Sequence, residues 1–299
     1  MKRHRFIEPV CIVCLIETAR KFVELSESNT ERQFKKLLTL IHKVELMFKG
    51  DLSNYMELSK QFYDACREIL GDFDYFNDIK YKSNELAFSL AYVAKNYINS
   101  GSSIEDRLRR AIKLSLVGNA LDFGTGVYNI SFKQFKQEFY KLLSTEIALD
   151  ESDKLIKYVH NAENILYVLD NAGEVVFDKL FIDEVIKLKK EVVAAVRGDS
   201  VQKDVTLEDV KYIGLEDIAR VITTGSNIAG ILLRDCSEDF IDELRQADLV
   251  ILKGQGNYQS IDEIFRIRKK NLAFLLRVKC APVAKDLGVR FGDFVVKVY

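Results

Sequence analysis

The sequence predicts an α/β protein: a three-layer α/β/α, Rossmann-like, mostly parallel sheet in the C-terminal half, preceded by an all-helical N-terminal domain. Three observations carry this. Up to about residue 150, apolar residues recur at three- and four-residue steps. Beyond about residue 160, short apolar runs alternate with helical segments. Several of those runs end abruptly in polar or glycine-rich turns. The expected division is a helical domain over 1–155 and an α/β domain over 156–299.

In the first half, Phe34, Leu37, Leu38, Ile41, Val44 and Phe48 mark one stripe. Tyr55, Leu58, Phe62, Ala65 and Ile69 mark a second, and Leu86, Leu90, Val93, Ala94 and Tyr97 a third. Stripes of that period are core faces of amphipathic helices. Gly50-Asp51, Gly71-Asp72 and Gly101-Ser102 punctuate them as turns. In the second half, strands are expected at 165–169, 192–196, 221–224, 249–252, 274–278 and 294–298, with helices such as 175–188 and 240–246 between them. The last run follows a short turn and is expected to pair antiparallel, as edge strands on such sheets do.

Composition narrows the partners. The 299 residues carry 44 basic and 45 acidic side chains, net −1, so there is no basic excess to neutralise nucleic-acid phosphates. The apolar run from Val10 to Ile16 is interrupted by Glu17 and has no cleavage site, which argues against a signal peptide or membrane span and for a cytoplasmic protein. Abundant Lys, Arg and Glu with two prolines lean towards a thermophile's ion-paired surface. Five cysteines lack disulfide-framework spacing. Cys11 and Cys14 lie at i and i+3, as half a zinc site, a redox pair or two small buried hydrophobes.

The densest chemistry lies at Leu169-Asp170-Asn171-Ala172-Gly173-Glu174. A strand stops at a carboxylate and a carboxamide, and a glycine turn then opens a helix. Open α/β sheets bind ligands at that edge, and backbone N–H groups after Gly173, with Glu174 beside them, suit an anion. Two oxygen ligands beside an anion site suggest a hard metal ion serving phosphate chemistry; an Asx turn with a helix cap is the plainer alternative. Asp204 follows the next strand, in a loop on the same edge or as a helix cap. Lys253-Gly254-Gln255-Gly256-Asn257-Tyr258 reads as a glycine-rich loop that lets a ligand approach the backbone. It lacks the full dinucleotide pattern. Thr223 to Asn227 offers hydroxyls suited to phosphate or sugar, and Lys279 a point charge for phosphate. Asn84, Asn119 and Asp122 are polar candidates from the helical half, with a helix-end turn as the alternative for the Gly118-Asn119 segment.

Together, the segments around Asp170, Arg197-Gly198…Lys203-Asp204, Lys253 to Asn257 and Val278-Lys279-Cys280 resemble the damage-control phosphatases, the superfamily also described as domain of unknown function 89. Gly118-Asn119-Ala120-Leu121-Asp122-Phe123-Gly124 and Lys82-Ser83-Asn84 resemble its stand-alone microbial branch. The resemblance implies a metal-dependent phosphatase acting on small phosphorylated metabolites, sugar phosphates or related esters. Asp170, Asn171 and Asp204 would be metal ligands, and Gly254 to Tyr258 with Lys279 would hold the substrate. Two carboxylates and an amide suit Mg²⁺ or Mn²⁺, with Co²⁺ and Ni²⁺ as further options. The Asp-x-Asp-x-Thr signature of aspartyl-phosphate enzymes is missing, which favours attack by water. The competing readings are an S-adenosylmethionine-dependent carboxyl methyltransferase and a non-catalytic metabolite or redox-sensing module using Cys11 and Cys14.

Overall fold

A computed structural model describes residues 6–72, 74–120 and 132–299. Six helices come first: α1 (Val10–Ser26), α2 (Thr30–Lys49), α3 (Tyr55–Leu70), α4 (Asn77–Asn99), α5 (Ile104–Gly118) and α6 (Phe132–Ser144). Asn29, Asn54 and Ser103 cap α2, α3 and α5 by accepting backbone N–H bonds, and the expected turns at Gly50 and Gly71 follow α2 and α3. Next come β1 (Ile147–Asp150), α7 (Ser152–Asn161), β2 (Asn164–Val168), α8 (Glu174–Ile186), β3 (Glu191–Val196), α9 (Leu207–Ile213) and β4 (Arg220–Thr223). The chain ends with α10 (Glu238–Gln246), β5 (Leu249–Lys253), α11 (Gly254–Gln259), α12 (Ile261–Ile264), β6 (Leu272–Arg277), α13 (Ala281–Leu287) and β7 (Phe294–Val298).

The strands form one sheet in the order β1-β7-β6-β5-β2-β3-β4. Every pairing is parallel except β6 with β7, which is antiparallel as expected, but β7 is not the edge strand the sequence suggests, because β1 pairs along its outer side. From β2 the chain winds outward through β3 and β4, then returns to the other side of β2 as β5. The strand order therefore reverses between β2 and β5, and such a switch point opens a crevice at the carboxyl ends.

Alternation along the strands divides the core. Ile165 and Tyr167 of β2, with Leu249 and Ile251 of β5, face a cluster shared with α4, α5, α7 and α8. Leu166, Val168, Val250 and Leu252 face the opposite cluster, built with α10 to α13. A third cluster joins α1, α2 and α3 to Val201, Ile228 and Leu232 from loops at the carboxyl edge. The helical half thus splits: α4 and α5 form one layer on the sheet, while α1 to α3 roof the strand ends.

Three elements differ from expectation. β1 was not foreseen: its four residues, Ile-Ala-Leu-Asp, alternate between partial and full exposure, as a short edge strand does. The glycine-rich segment after β5 is not a loop but the short helix α11. On α2 the buried face is Leu40, Val44 and Met47, which packs with α1 and α3, while Phe34 and Leu38 are exposed.

Candidate active site

The floor of the crevice is assembled by backbone before side chains matter. Val205 N–H donates to Asp170 O at 2.8 Å and Ala172 N–H to Lys203 O at 2.9 Å. These bonds clip the loop after β2 to the loop after β3, pairing Asn171 with Asp204 in an isolated bridge. Asp204 is not a helix cap: α9 is capped by Thr206, with Asp209 completing a capping box. Asp170, Asn171, Asp204 and Lys279 all line one cavity of about 490 Å³, a volume usual for small-molecule sites. A second hollow near Arg67 and Tyr75 is about 40 Å³, room for little more than water.

Each floor group is held from behind. Asp170 Oδ2 accepts from Asn119 Nδ2 at 3.0 Å and Asn171 Nδ2 at 2.6 Å. Both amides also reach Glu174 Oε2, at 2.7 and 3.2 Å. Asn119 is fixed in turn because its Oδ1 accepts from Arg277 N–H at 2.9 Å. Asp204 Oδ2 accepts from Arg197 Nε at 2.6 Å, and the rest of that buried guanidinium binds Gly230 O at 3.0 Å and Asn257 Oδ1 at 2.9 Å. Beneath them Lys253 Nζ pairs with Glu174, with Asp178 at 2.8 Å, and with Ser115 O at 3.2 Å.

Local geometry explains the glycines. Gly254 has φ +78°, and a Cβ there would lie 1.8 Å from Asp170 Oδ2, so only glycine leaves room for that carboxylate. Gly173 has φ +78° against Ser83, and its N–H donates to Asn84 Oδ1 at 2.5 Å.

The expected residues therefore sort themselves. Asp170, Asn171, Asp204, Lys279 and Gly256 line the cavity, and Gly254 abuts Asp170. Asn119 and Glu174 stand behind the floor and set its geometry. At the start of α8, where an anion was expected to bind the N–H groups after Gly173, Gly173 N–H donates to Asn84 Oδ1, and Val175 and Val176 N–H donate to Asn171 O and Gly173 O, each at 3.3 Å. Asn257 braces Arg197 and is absent from the lining. Tyr258 lies in the core, its hydroxyl donating to Asp286 Oδ2 at 2.7 Å and its ring edge-on to Phe274. The Thr223 to Asn227 segment is absent from the cavity lining, and Thr224 is tied into the fold, its N–H on Val196 O, its O taking Ser237 N–H and its hydroxyl on Ser226 O at 3.4 Å. Asp122 lies outside the described residues. Residues that sequence reasoning passed over as site candidates are Val10, Val13, Leu15, Glu17 and Thr18 of α1, Tyr55, Gln202 and Gln259, all in the lining.

Electrostatics single out the floor. Burial, with Asp204 and Glu174 nearby, raises the Asp170 carboxyl to about 7, opposed by Lys279 and Arg197. Burial also raises Asp204, against Arg197 beside it. Burial lowers the Lys279 ammonium, while Asp170, Glu174 and Asp204 pull it back up. Negative charge is thus concentrated where cationic compensation is incomplete. Asp170 and Asp204 each keep one carboxylate oxygen outside the hydrogen bonds just described. The Asn171 amide, drawn with its NH₂ towards the carboxylates, presents its oxygen after a half-turn. Among the described residues no three His, Cys, Asp or Glu side chains gather to hold a metal by themselves. The donor set is therefore two carboxylates with an amide, leaving positions for water or phosphate oxygen, which fits a hard divalent cation. Cys11 and Cys14 lie in the cavity wall as free thiols.

A profile of the damage-control phosphatase ARMT1-like domain matches residues 7–295. The chain is 33% identical over 295 residues to an uncharacterised protein of Methanocaldococcus jannaschii, covering 97% of this chain and 94% of that one. It is 30% identical over 286 residues to a damage-control phosphatase of Pyrococcus horikoshii, covering 95% of each. The crystal structure of a DUF89 family protein from Pyrococcus horikoshii superimposes with a TM-score of 0.83 at 30% identity, covering 98% of both chains.

Proposed function

The chain belongs to the damage-control phosphatase family, and from that premise we propose that it is a metal-dependent phosphoric monoester hydrolase acting on small phosphorylated metabolites. The observation that carries this is the meeting of Asp170, Asn171 and Asp204 at the β2–β5 switch point, with Lys279 in the same cavity. Asp170, Asn171 and Asp204 would hold the cation. When bound, Mg²⁺, Mn²⁺, Co²⁺ or Ni²⁺ supplies a Lewis acid for a phosphoryl oxygen and acidifies a water.

The chain's own groups do the rest. Lys279 places positive charge beside the carboxylates, where it offsets charge on the phosphoryl oxygens. Arg197 holds Asp204 by one oxygen, leaving the other for the ligand. Asn119 holds Asp170 by one oxygen in the same manner, leaving its other oxygen for the ligand. Lys253 pairs with both Glu174 and Asp178 below the floor, which offsets part of their charge and draws them away from the cation.

The test is a panel of phosphate esters with each of the four metals, run on wild type and on Asp170→Ala. Release of phosphate only with added metal, lost in the variant, supports the proposal. No release from any ester with any metal overturns it. Saturable binding of S-adenosylmethionine in calorimetry would favour the methyltransferase reading instead.

A further inference from the structure

The cavity has two chemically different ends. Its floor is charged, as described. Its walls are Val10, Val13 and Leu15 of α1, Tyr55 of α3, and Pro282 and Phe291 from the far side. Cys11, Cys14 and Cys280 extend that surface, and burial raises all three thiols, so they stand as neutral, weakly polar groups.

Several polar side chains near these walls already bond within the protein. Thr18 Oγ1 donates to Cys14 O at 2.9 Å. The Glu17 oxygens accept from Arg20 at 2.6 and 2.9 Å. Gln202 Nε2 donates to the Tyr63 hydroxyl, and Gln255 Oε1 accepts from Lys279 N–H at 2.8 Å. A sugar brings several hydroxyls, each losing water on entry and needing a new partner. Along α1, Pro282 and Phe291 the side chains offered are mainly carbon and thiol, while Ser59 and Gln259 are further polar groups in the lining. An apolar group needs none and gains by leaving water. With about 490 Å³ available, the cavity holds considerably more than a phosphate.

Resting on the phosphatase reading above, we propose that the preferred substrate is a phosphate monoester whose organic part is apolar, aryl or branched alkyl. That part is seated against α1, Pro282 and Phe291, while polyhydroxylated sugar phosphates are poor substrates. Val13 and Tyr55 are then specificity residues, and the first helix selects what the strand ends hydrolyse.

The test compares two esters of primary alcohols, 3-phenylpropyl phosphate and ribose 5-phosphate, with Mn²⁺ and the full chain. The matched leaving groups make a difference in kcat/KM report on binding rather than on bond strength. The expected result is a preference of roughly tenfold or more for the phenylpropyl ester, carried mainly by KM, as burial of a phenyl group gives. Val13→Asn should narrow that preference severalfold without lowering the melting temperature, since Val13 is 66% exposed. Ribose 5-phosphate used equally well or better overturns the inference but leaves the phosphatase reading standing. A Val13→Asn variant with the full preference overturns the assignment of the α1 wall. Hydrolysis of neither ester, nor of any other in the panel, overturns the phosphatase reading and this inference with it.

Discussion

The floor and the roof of the cavity are built on opposite plans. The floor is rigid and charged: Asp170, Asn171 and Asp204 sit on loops clipped together by backbone bonds, each side chain held by at least one buried neighbour. The roof is a helix. α1 packs on α2 and α3, and presents short apolar and thiol side chains to the same cavity. Placing like charges close together is costly, so the floor needs a scaffold of parallel strands, buried Lys253 and Arg197, and a glycine where no Cβ fits. Offering an apolar wall costs almost nothing and needs only a helix nearby. The difference assigns chemistry to the strand ends and selection to the N-terminal helices, and substitutions at the two surfaces should diverge accordingly.

The largest effect should come from Gly254→Ala. Its methyl would occupy the place of Asp170 Oδ2, 1.8 Å away, at a φ of +78°. A displacement of about 1 Å at a reacting centre costs on the order of a hundredfold in rate, so phosphate release should fall at least that far while the circular-dichroism spectrum stays helical and sheet-like. Full activity would mean that Asp170 does not work from this position. Next is Lys253→Met, which strands Glu174 and Asp178 in the core without their cation. Breaking a buried ion pair by removing one partner costs about 3–5 kcal/mol, so chemical denaturation should show a loss of that size. A loss comparable to that of a surface substitution would separate the buried network from the floor.

The contrast also predicts a pH response. Asp170 in the metal-free protein is raised to about 7, against ~3.9 for a free aspartate. The folded chain therefore keeps a proton that the unfolded chain has released, and stability through this group falls as pH rises from about 4 to about 7. Metal binding must displace that proton, so the apparent Kd for Mn²⁺ should tighten as pH rises towards 7, with protons released in calorimetry. Binding that is independent of pH in this range would place the cation away from Asp170. The smallest effect belongs to the roof thiols. Replacing Cys11 and Cys14 with Ala should leave most metal-dependent turnover, whereas loss of all turnover would revive a redox role for them.

Much of the floor is legible in the amino-acid sequence itself, because each strand end is a local event. A β-branched run stopping at Asp170-Asn171, then a glycine before a helix, places two oxygens at a sheet edge by sequence alone. The same logic places Thr223 to Asn227 at the site, yet that segment lies outside the cavity lining, with Thr224 clipped by backbone bonds to Val196 and Ser237. It also misreads Tyr258, which a helical turn after Gly254 swings into the core rather than the cavity. β1 escapes notice because four residues at an exposed edge carry too little apolar pattern. The α1 wall is invisible for a different reason. Nothing in Val10 to Thr18 marks it as facing Lys279, since that contact depends on how α1 to α3 fold over the strand ends. The two floor carboxylates should also respond differently to removal. In Asp204→Ala, Arg197 would lose its carboxylate partner, so that variant should be destabilised even though one buried negative charge is gone. Asp170 is held by the neutral amides of Asn119 and Asn171, so its removal should disturb the scaffold less than the loss of Asp204.

Melting curves of wild type and Asp170→Ala, each with and without Mn²⁺, therefore test the metal floor most directly. Wild type should gain stability with metal, about 2.7 kcal/mol at a hundredfold excess over Kd. Metal-free Asp170→Ala should melt close to metal-free wild type, because relief of charge crowding offsets the lost hydrogen bonds, and added Mn²⁺ should leave its melting temperature unchanged. If Asp170→Ala gains as much from Mn²⁺ as wild type does, the cation is held elsewhere and the floor is not a metal site.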